Sequence, residues 1–457
     1  MPARSRSRRP GYTRAFLLVS EELVRADPRP EVAAPFDERR RRPVRPEAES
    51  PAPSADPGAG SRPRWEALEG ARGLAAVGVV LLHVWMFTDR QAEIGQWWGQ
   101  LLIDLRLGVP FFFVLSGFLI WRPWAQAALS GRERPAMGSY VSRRAVRILP
   151  AYWLTLAAAA VVLAGWGHPR ELESLGQALA LLTMTQTYFE SSYGVVNPPA
   201  WTLVVESAFY ALVPLVGWLA IRRGRTLRAH VALLATLVVA QVAWCAWVAL
   251  SGWPGRFFAV LPAHTAEFAF GMIAAAWTVA ARPSGRALAW AGLGLVAITV
   301  AWHMSPYQQP WRVTQDVPAA AGFALIIAAL TLGAGRQRLL SSGPLHWLGE
   351  RSYGIYLWHF VVIFAWRRAE IWPSADASVS DTALAIALVF PVAVALAAAT
   401  YRWVELPAVA WARRRERAPR KVARADASGA GVTPGGPSRD RLLRSGGSQP
   451  AFSRRHS

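Results

Sequence analysis

The chain holds a single cysteine, Cys245, among 457 residues, and it lies inside an apolar stretch. One cysteine excludes an intrachain disulfide and any cysteine-built metal centre. No zinc or haem ligand spacing occurs elsewhere, so no metal and no tightly bound cofactor is expected. Charge is scarce too, at 17% of residues against about a quarter in soluble domains. No internal repeat is legible, and no polar segment is long enough to fold as a soluble domain of its own. The apolar segment from Ala15 to Val19 is too short for the core of a signal peptide, so the first long apolar helix is expected to direct the chain to the membrane.

What is present instead is apolar: 53% hydrophobic residues and 23 Trp. They are gathered into blocks of roughly 16 to 22 residues, the length that spans hydrocarbon. The net charge of +21 would suit nucleic acid, but roughly two thirds of it lies in the two tails and much of the rest in short loops, which is the signature of membrane topology. The fold class is all-α, a polytopic membrane helix bundle, with spans near 71–87, 107–126, 150–165, 200–221, 230–250, 257–280, 287–304, 318–334, 353–366 and 383–403. An eleventh stretch, Leu175 to Phe189, reads as re-entrant or interfacial, because a crossing there would put the loop from Arg222 to Arg228 outside. About ten crossings then leave both termini cytoplasmic in a multi-pass cell-membrane protein. Arginine clusters at 122–147, 222–228, 282–286 and 336–338 fall inside, and near-neutral or acidic loops (Asp89, Glu93, Asp104; Glu171, Glu173, Glu190; Glu370, Asp376, Asp381) fall outside. Three parts result: a basic tail over 1–63, a membrane domain over 64–411 and a second basic tail over 412–457. Both tails have too little apolar surface to fold, and their basic runs suit contact with anionic lipid.

Any chemistry must therefore sit inside the bundle, on the few polar side chains that apolar helices carry. Ionisable groups in a spanning helix usually face the bundle interior or a wet cavity. Arg72 and His83 are eleven residues apart, three turns plus about 20°, and share one face of the first span at a separation of roughly 16 Å. They read either as a functional pair or as a snorkelling anchor and a helix-bonding imidazole. Ser116 and Gly117 interrupt a bulky aromatic stretch, permitting close helix approach or opening a slot for a substrate chain. Arg143, Arg144 and Arg147 occupy one turn before the third span, as positive-inside anchors or as a polyphosphate site, since guanidinium forks match phosphate oxygens. Glu206 is placed a turn or two inside the outer surface, where burial would tune it toward acid or base work. Ser352, Tyr356 and His359 lie at i, i+4 and i+7 on one helix face, suited to packing or, for His359, to substrate contact. Arg402 and Glu405 could pair with each other. His264 and His303 read as interfacial.

In order, the segments LEGARGLAAVGVVLLH, LGVPFFFVLSGFLI, RRAVRILPAYW, WTLVVESAFY, LGERSYGIYLWH and YRWVELP resemble the acyltransferase-3 family of integral membrane acyltransferases. The likeness covers about 64 to 411. It implies an O-acyltransferase that moves an acyl group, often acetyl, from cytoplasmic acyl-CoA as co-substrate to a hydroxyl of a glycan or other polar acceptor, commonly at the far face of the membrane. The family's basic residue, ten-residue gap and histidine match Arg72 and His83, and its arginine-rich motif matches Arg143, Arg144 and Arg147. Three positions depart from the family pattern: Glu69 stands for a usual Asp, Pro110 for a frequent Asp, and Glu206 with Ser207 for a usual pair of Glu. The extra esterase-like domain of many relatives is not expected here. His83 is then the expected general base or acyl carrier with Glu206 beside the acceptor, the four arginines the expected donor-phosphate contacts, and Ser116, Tyr356 and His359 the expected substrate contacts. A secondary transporter with a midplane His/Glu/Arg site is the alternative.

Overall fold

The computed structural model describes residues 62–88, 96–281, 284–304, 314, 316–333, 337–372 and 378–415. Helix extends to Arg62 and to Arg415, a few residues into both expected tails; the remainder of the tails lies outside the described residues, as do Asp89, Glu93 and Asp376.

Among the described residues every regular element is helical. Ten helices of 15 residues or more fall on the ten expected spans: α1 (Arg62–Met86), α3 (Gly108–Ser130), α4 (Met137–Leu163), α6 (Trp201–Arg223), α7 (Leu227–Leu250), α8 (Thr265–Ala280), α9 (Gly285–His303), α10 (Val317–Thr331), α11 (Gly343–Arg368) and α12 (Val379–Thr400). Two short α-helices, α2 (Trp97–Ile103) and α5 (Leu175–Leu182), accompany them among the described residues. Seven helical segments are long and apolar enough to cross a membrane by length and composition. The helices that fall short are α8 and α10, at 16 and 15 residues, and α11, whose early turns carry Glu350 and Arg351.

Small residues bring the helices close. A Cβ on Gly349 of α11 would lie 1.8 Å from the Glu69 carbonyl oxygen of α1, and one on Gly117 of α3 would lie 2.3 Å from the Phe268 carbonyl oxygen of α8. In lipid such backbone contact replaces the hydrophobic drive that packs soluble helices. Helices α1 and α11 run parallel, Glu69 beside Gly349 at one end and His83 beside His359 further along. Gly117 is thus a packing residue, whereas its neighbour Ser116 faces the interior.

The segment 164–200 accounts for the ambiguous apolar stretch. Its helix α5 is eight residues long, about 12 Å at the helical rise and too short for roughly 30 Å of hydrocarbon. Instead the segment folds inward. The Tyr152 hydroxyl, midway along α4, donates to the Leu181 carbonyl at 2.7 Å, and Asn197 Nδ2 donates to the Leu357 carbonyl, midway along α11, at 3.2 Å. Val196, just before Asn197, is fully buried with φ at 61°, a left-handed conformation that costs a β-branched residue on the order of 1–3 kcal/mol. Helix α6 consequently starts at mid-depth of the bundle.

Two outer-edge histidines are structural. His264 is buried between Phe113 and Trp201 and shares a 3.2 Å contact with Glu267. His303, expected at an interface, sits in a buried ionic cluster: its Nδ1 meets Asp104 at 2.6 Å, its Nε2 meets Asp316 at 3.3 Å, and Arg106 bonds both Asp316 oxygens. The cluster ties the turn before α3 to the end of α9 and the start of α10.

Candidate active site

The polar side chains of the interior gather where α1, α3, α4, α6 and α11 meet. A cavity of about 160 Å³ is lined by Arg72, Arg144, Arg147, Ser116, Glu206 and Tyr356 among others. Arg144 and Arg147, three apart on α4, share the face turned to it. Arg143, about 100° away, is exposed on the helix and does not line the cavity.

Each guanidinium has its own electrostatic setting. Arg72, with 17% of its side chain exposed, pairs with Glu69 at 2.8 Å. Arg147 pairs with Glu405 at 2.9 Å. That pairing replaces the expected Arg402–Glu405 contact: a π-helical turn over Tyr401–Glu405 leaves Arg402 exposed and turns the buried Glu405 inward to α4. Arg144 lies 5.6 Å from the Tyr210 ring centroid, and its buried Nε has no hydrogen-bond partner.

Glu206 differs from the outer-side position expected for it. It shares the cavity with the three arginines because α6 begins deep in the bundle rather than at its surface. Its Oε1 accepts from the Ser116 hydroxyl at 2.7 Å and from the Tyr210 hydroxyl. Thr202 and Tyr210, missed as site residues, lie four residues to either side of Glu206, and this spacing on one helix face was the signal available for them. The buried Ser352 hydroxyl, also unpartnered, contributes to the lining.

Tyr356 closes one end of the cavity. Its hydroxyl donates to the Pro199 carbonyl at 2.7 Å and meets the Thr202 hydroxyl at 2.9 Å. Beyond it stands a histidine pair: His359 Nε2 and His83 Nδ1 are 3.0 Å apart, with ring centroids 5.0 Å apart. The Tyr356 and His359 ring centroids are separated by 5.7 Å. His83 therefore does not line the same cavity as Arg72; the Tyr356 ring, with His359 behind it, stands between. His359, expected to touch substrate, is fully buried against His83, with its Nδ1 lacking a partner. On the opposite side Phe360 packs edge-on against both imidazoles at 4.9 and 5.0 Å, and Phe87 packs on Phe360 at 5.4 Å. Among the described residues no group of three or more His, Cys, Asp or Glu side chains is placed to hold a metal.

The described residues thus form a polytopic helix bundle that buries an arginine-lined cavity one ring away from paired imidazoles. The chain belongs to the acyltransferase-3 family, whose acyltransferase domain model matches residues 65–402. It is 24% identical over 330 residues to the peptidoglycan O-acetyltransferase OatA of Listeria monocytogenes, covering 66% of this chain and 50% of that protein. It is 32% identical to the exopolysaccharide production protein ExoZ of Rhizobium meliloti, with 56% and 76% covered, and 28% identical to the acyltransferase MdmB of Streptomyces mycarofaciens, with 66% and 79% covered. The chain thus spans about half the length of OatA. No solved structure matches it.

Proposed function

We propose that the chain transfers an acetyl group from acetyl-CoA, bound at the arginine-rich cytoplasmic end, to a hydroxyl of an envelope glycan presented from the opposite face, with His83 as the reacting side chain. Both termini are cytoplasmic in this reading. The observation that carries it is the position of the His83–His359 pair, one ring beyond a cavity holding three guanidiniums. The relatives add direction, since OatA and ExoZ are named for peptidoglycan and exopolysaccharide.

The donor's phosphates dock on Arg144 first, which pairs with no carboxylate among the described residues, with Arg72 and Arg147 completing the fork set. Arg143 lies on the exposed face and serves as a positive-inside anchor. A cavity of 160 Å³ suits an extended arm rather than a ring system. Ser116 and Glu206 give that arm polar contacts along the way, so Glu206 acts on the donor side. Tyr356 stands across the path, and its ring must turn for the thioester to reach the imidazole.

For His83 to react at Nε2, its Nδ1–H must donate to His359 Nε2. His359 is then a positioning residue that fixes the reactive tautomer. The His83 Nε2 lone pair attacks the thioester carbonyl, the carbon–sulfur bond breaks and the thiolate departs. The acceptor hydroxyl next attacks the acyl-imidazole carbonyl, and its proton passes out as the imidazole is released. This two-step route lets donor and acceptor remain on opposite faces. The test uses purified protein with radiolabelled acetyl-CoA, where His83→Ala is expected to abolish label transfer and to leave no acid-labile label on the chain. Transfer by His83→Ala at the wild-type rate would end the proposal.

A further inference from the structure

A second cavity, of about 430 Å³, lies at the end of the bundle away from the arginine-rich mouth, where the loop after α4 meets the ends of α1 and α11. It is unlike the first in being wide, and its volume falls within the roughly 300–1,000 Å³ of small-molecule sites. Its lining includes Arg170, Arg367, His168, Tyr193 and Phe87. Among the described residues no carboxylate lines it. The nearby Glu171 is committed elsewhere, its two oxygens accepting from the backbone N–H groups of Gly165 and Gly167.

The donors converge with little to satisfy them. Arg170 spends Nη1 on the Gly194 carbonyl at 2.8 Å. Arg367 lies over the Phe87 ring, 5.3 Å from its centroid, and no carboxylate among the described residues pairs with it. His168 Nδ1 accepts from the Arg170 backbone N–H at 3.2 Å, which leaves the proton of the neutral ring on Nε2 as a further donor. Burial, with Arg170 and Arg367 adding to it, holds the His168 pKa below its ordinary value. Aromatic surface stands beside these cations: Tyr193 is exposed, and Trp166 stacks on His168 at 4.7 Å. One wall of the cavity backs onto the histidine pair, since Phe87 packs on Phe360, which packs on His83.

We infer that this vestibule is the acceptor site and that it selects a glycan carrying a carboxylate, which Arg170 and Arg367 hold while an aromatic face supports the sugar ring. The inference rests on the acyl-transfer reading above for the word acceptor, but the site stands on its own geometry. A carboxylate fits the two separated guanidinium forks, and the space left beyond it takes sugar rings. Anchored there, a sugar hydroxyl lies against Phe87, with the Phe360 ring between it and the imidazole pair.

The test is binding rather than turnover, so failure of transfer and failure of this site are separable. The full chain, in phosphatidylcholine nanodiscs, is titrated calorimetrically with tetragalacturonate and with its fully methyl-esterified form, which is neutral and of the same length. Tetragalacturonate is expected to bind at least about tenfold more tightly than the ester, the equivalent of one charge-assisted hydrogen bond. Arg367→Gln and, independently, Arg170→Gln are each expected to remove that advantage while leaving ester binding unchanged. Equal binding of acid and ester, or an undiminished preference in both variants, overturns the inference. Displacement of the acid by inorganic phosphate at equal concentration also overturns it, by showing a simple anion site. Loss of the acid's advantage when phosphatidylglycerol replaces part of the phosphatidylcholine overturns it in favour of a lipid headgroup.

Discussion

At the scale of single residues, the histidine pair is the most informative contact. Its value depends on which ring donates, and substitution can read that out. His359→Ala removes the acceptor for His83 Nδ1–H and is expected to lower kcat by about 10²-fold or more, the size of general acid–base effects, with KM for the donor little changed. His359→Gln, whose side-chain carbonyl can take the same hydrogen, should recover part of the loss; equal kcat for the two variants in a label-transfer assay would remove the positioning role. Arg144→Gln is expected to raise KM for acetyl-CoA with kcat nearly unchanged. Arg143→Gln, on the exposed face of α4, should leave both constants near wild type. The sequence made His83, Arg72 and Glu206 visible because each is an ionisable residue where hydrocarbon makes one costly. It could not show that His359, 276 positions away, would bond His83, since that meeting depends on the parallel approach of α1 and α11. Glu206 was misplaced in depth for a related reason: its helix begins inside the bundle, and helix length alone does not say where a helix starts.

At the scale of elements, close approach and a buried ionic cluster set the frame. Gly349→Leu would drive a side chain into the Glu69 carbonyl and push α1 off α11, and overpacking of this kind costs about 1–3 kcal/mol or more. It should lower the melting temperature in detergent and weaken transfer, because Arg72 and His83 both ride on α1. In the cluster at the end of α9, burial alone would raise the Asp316 carboxyl, but the hydrogen bond from His303 and the charge of Arg106 hold it below its ordinary value. A depressed folded pKa means its stabilisation is complete above the unfolded value of about 4 and fades as pH falls through the folded one. Asp316→Asn is expected to cost on the order of 3 kcal/mol at pH 7 and to flatten the acid side of a melting-temperature profile, which thermal scans from pH 7 down to about pH 2 would measure. The ten long helices among the described residues were legible from apolar block length, and arginine placement is what set residues 175–189 apart from them. The partner of Glu405 was not legible, because a π-helical turn shifts the phase that a 3.6-residue periodicity assumes.

At the scale of the whole molecule, the single cysteine is useful. Cys245 is fully buried, so a Cys245→Ala background gives a clean chain for reporting sidedness. Cysteines placed at Arg225 and at Gly167 should label from opposite faces, Arg225 only after the membrane is permeabilised and Gly167 in intact cells. Labelling of both from the same side would invert or break the assigned topology. Arginine placement supports only an expected orientation, whereas the arrangement of the interior could not be read from spacing, since it is set by the inward fold of residues 164–200.

That inward fold thins the barrier. One cavity reaches up to Tyr356 and the other down to Phe87, so the partition between them is a few stacked rings instead of a full bilayer's depth. In the proposed reaction, a group of two carbons would be handed across such a partition while its carrier and its recipient each stay in their own compartment. The proposed transfer would thus deliver an activated fragment through a membrane with no rocking of halves and no pore that would let protons or metabolites escape.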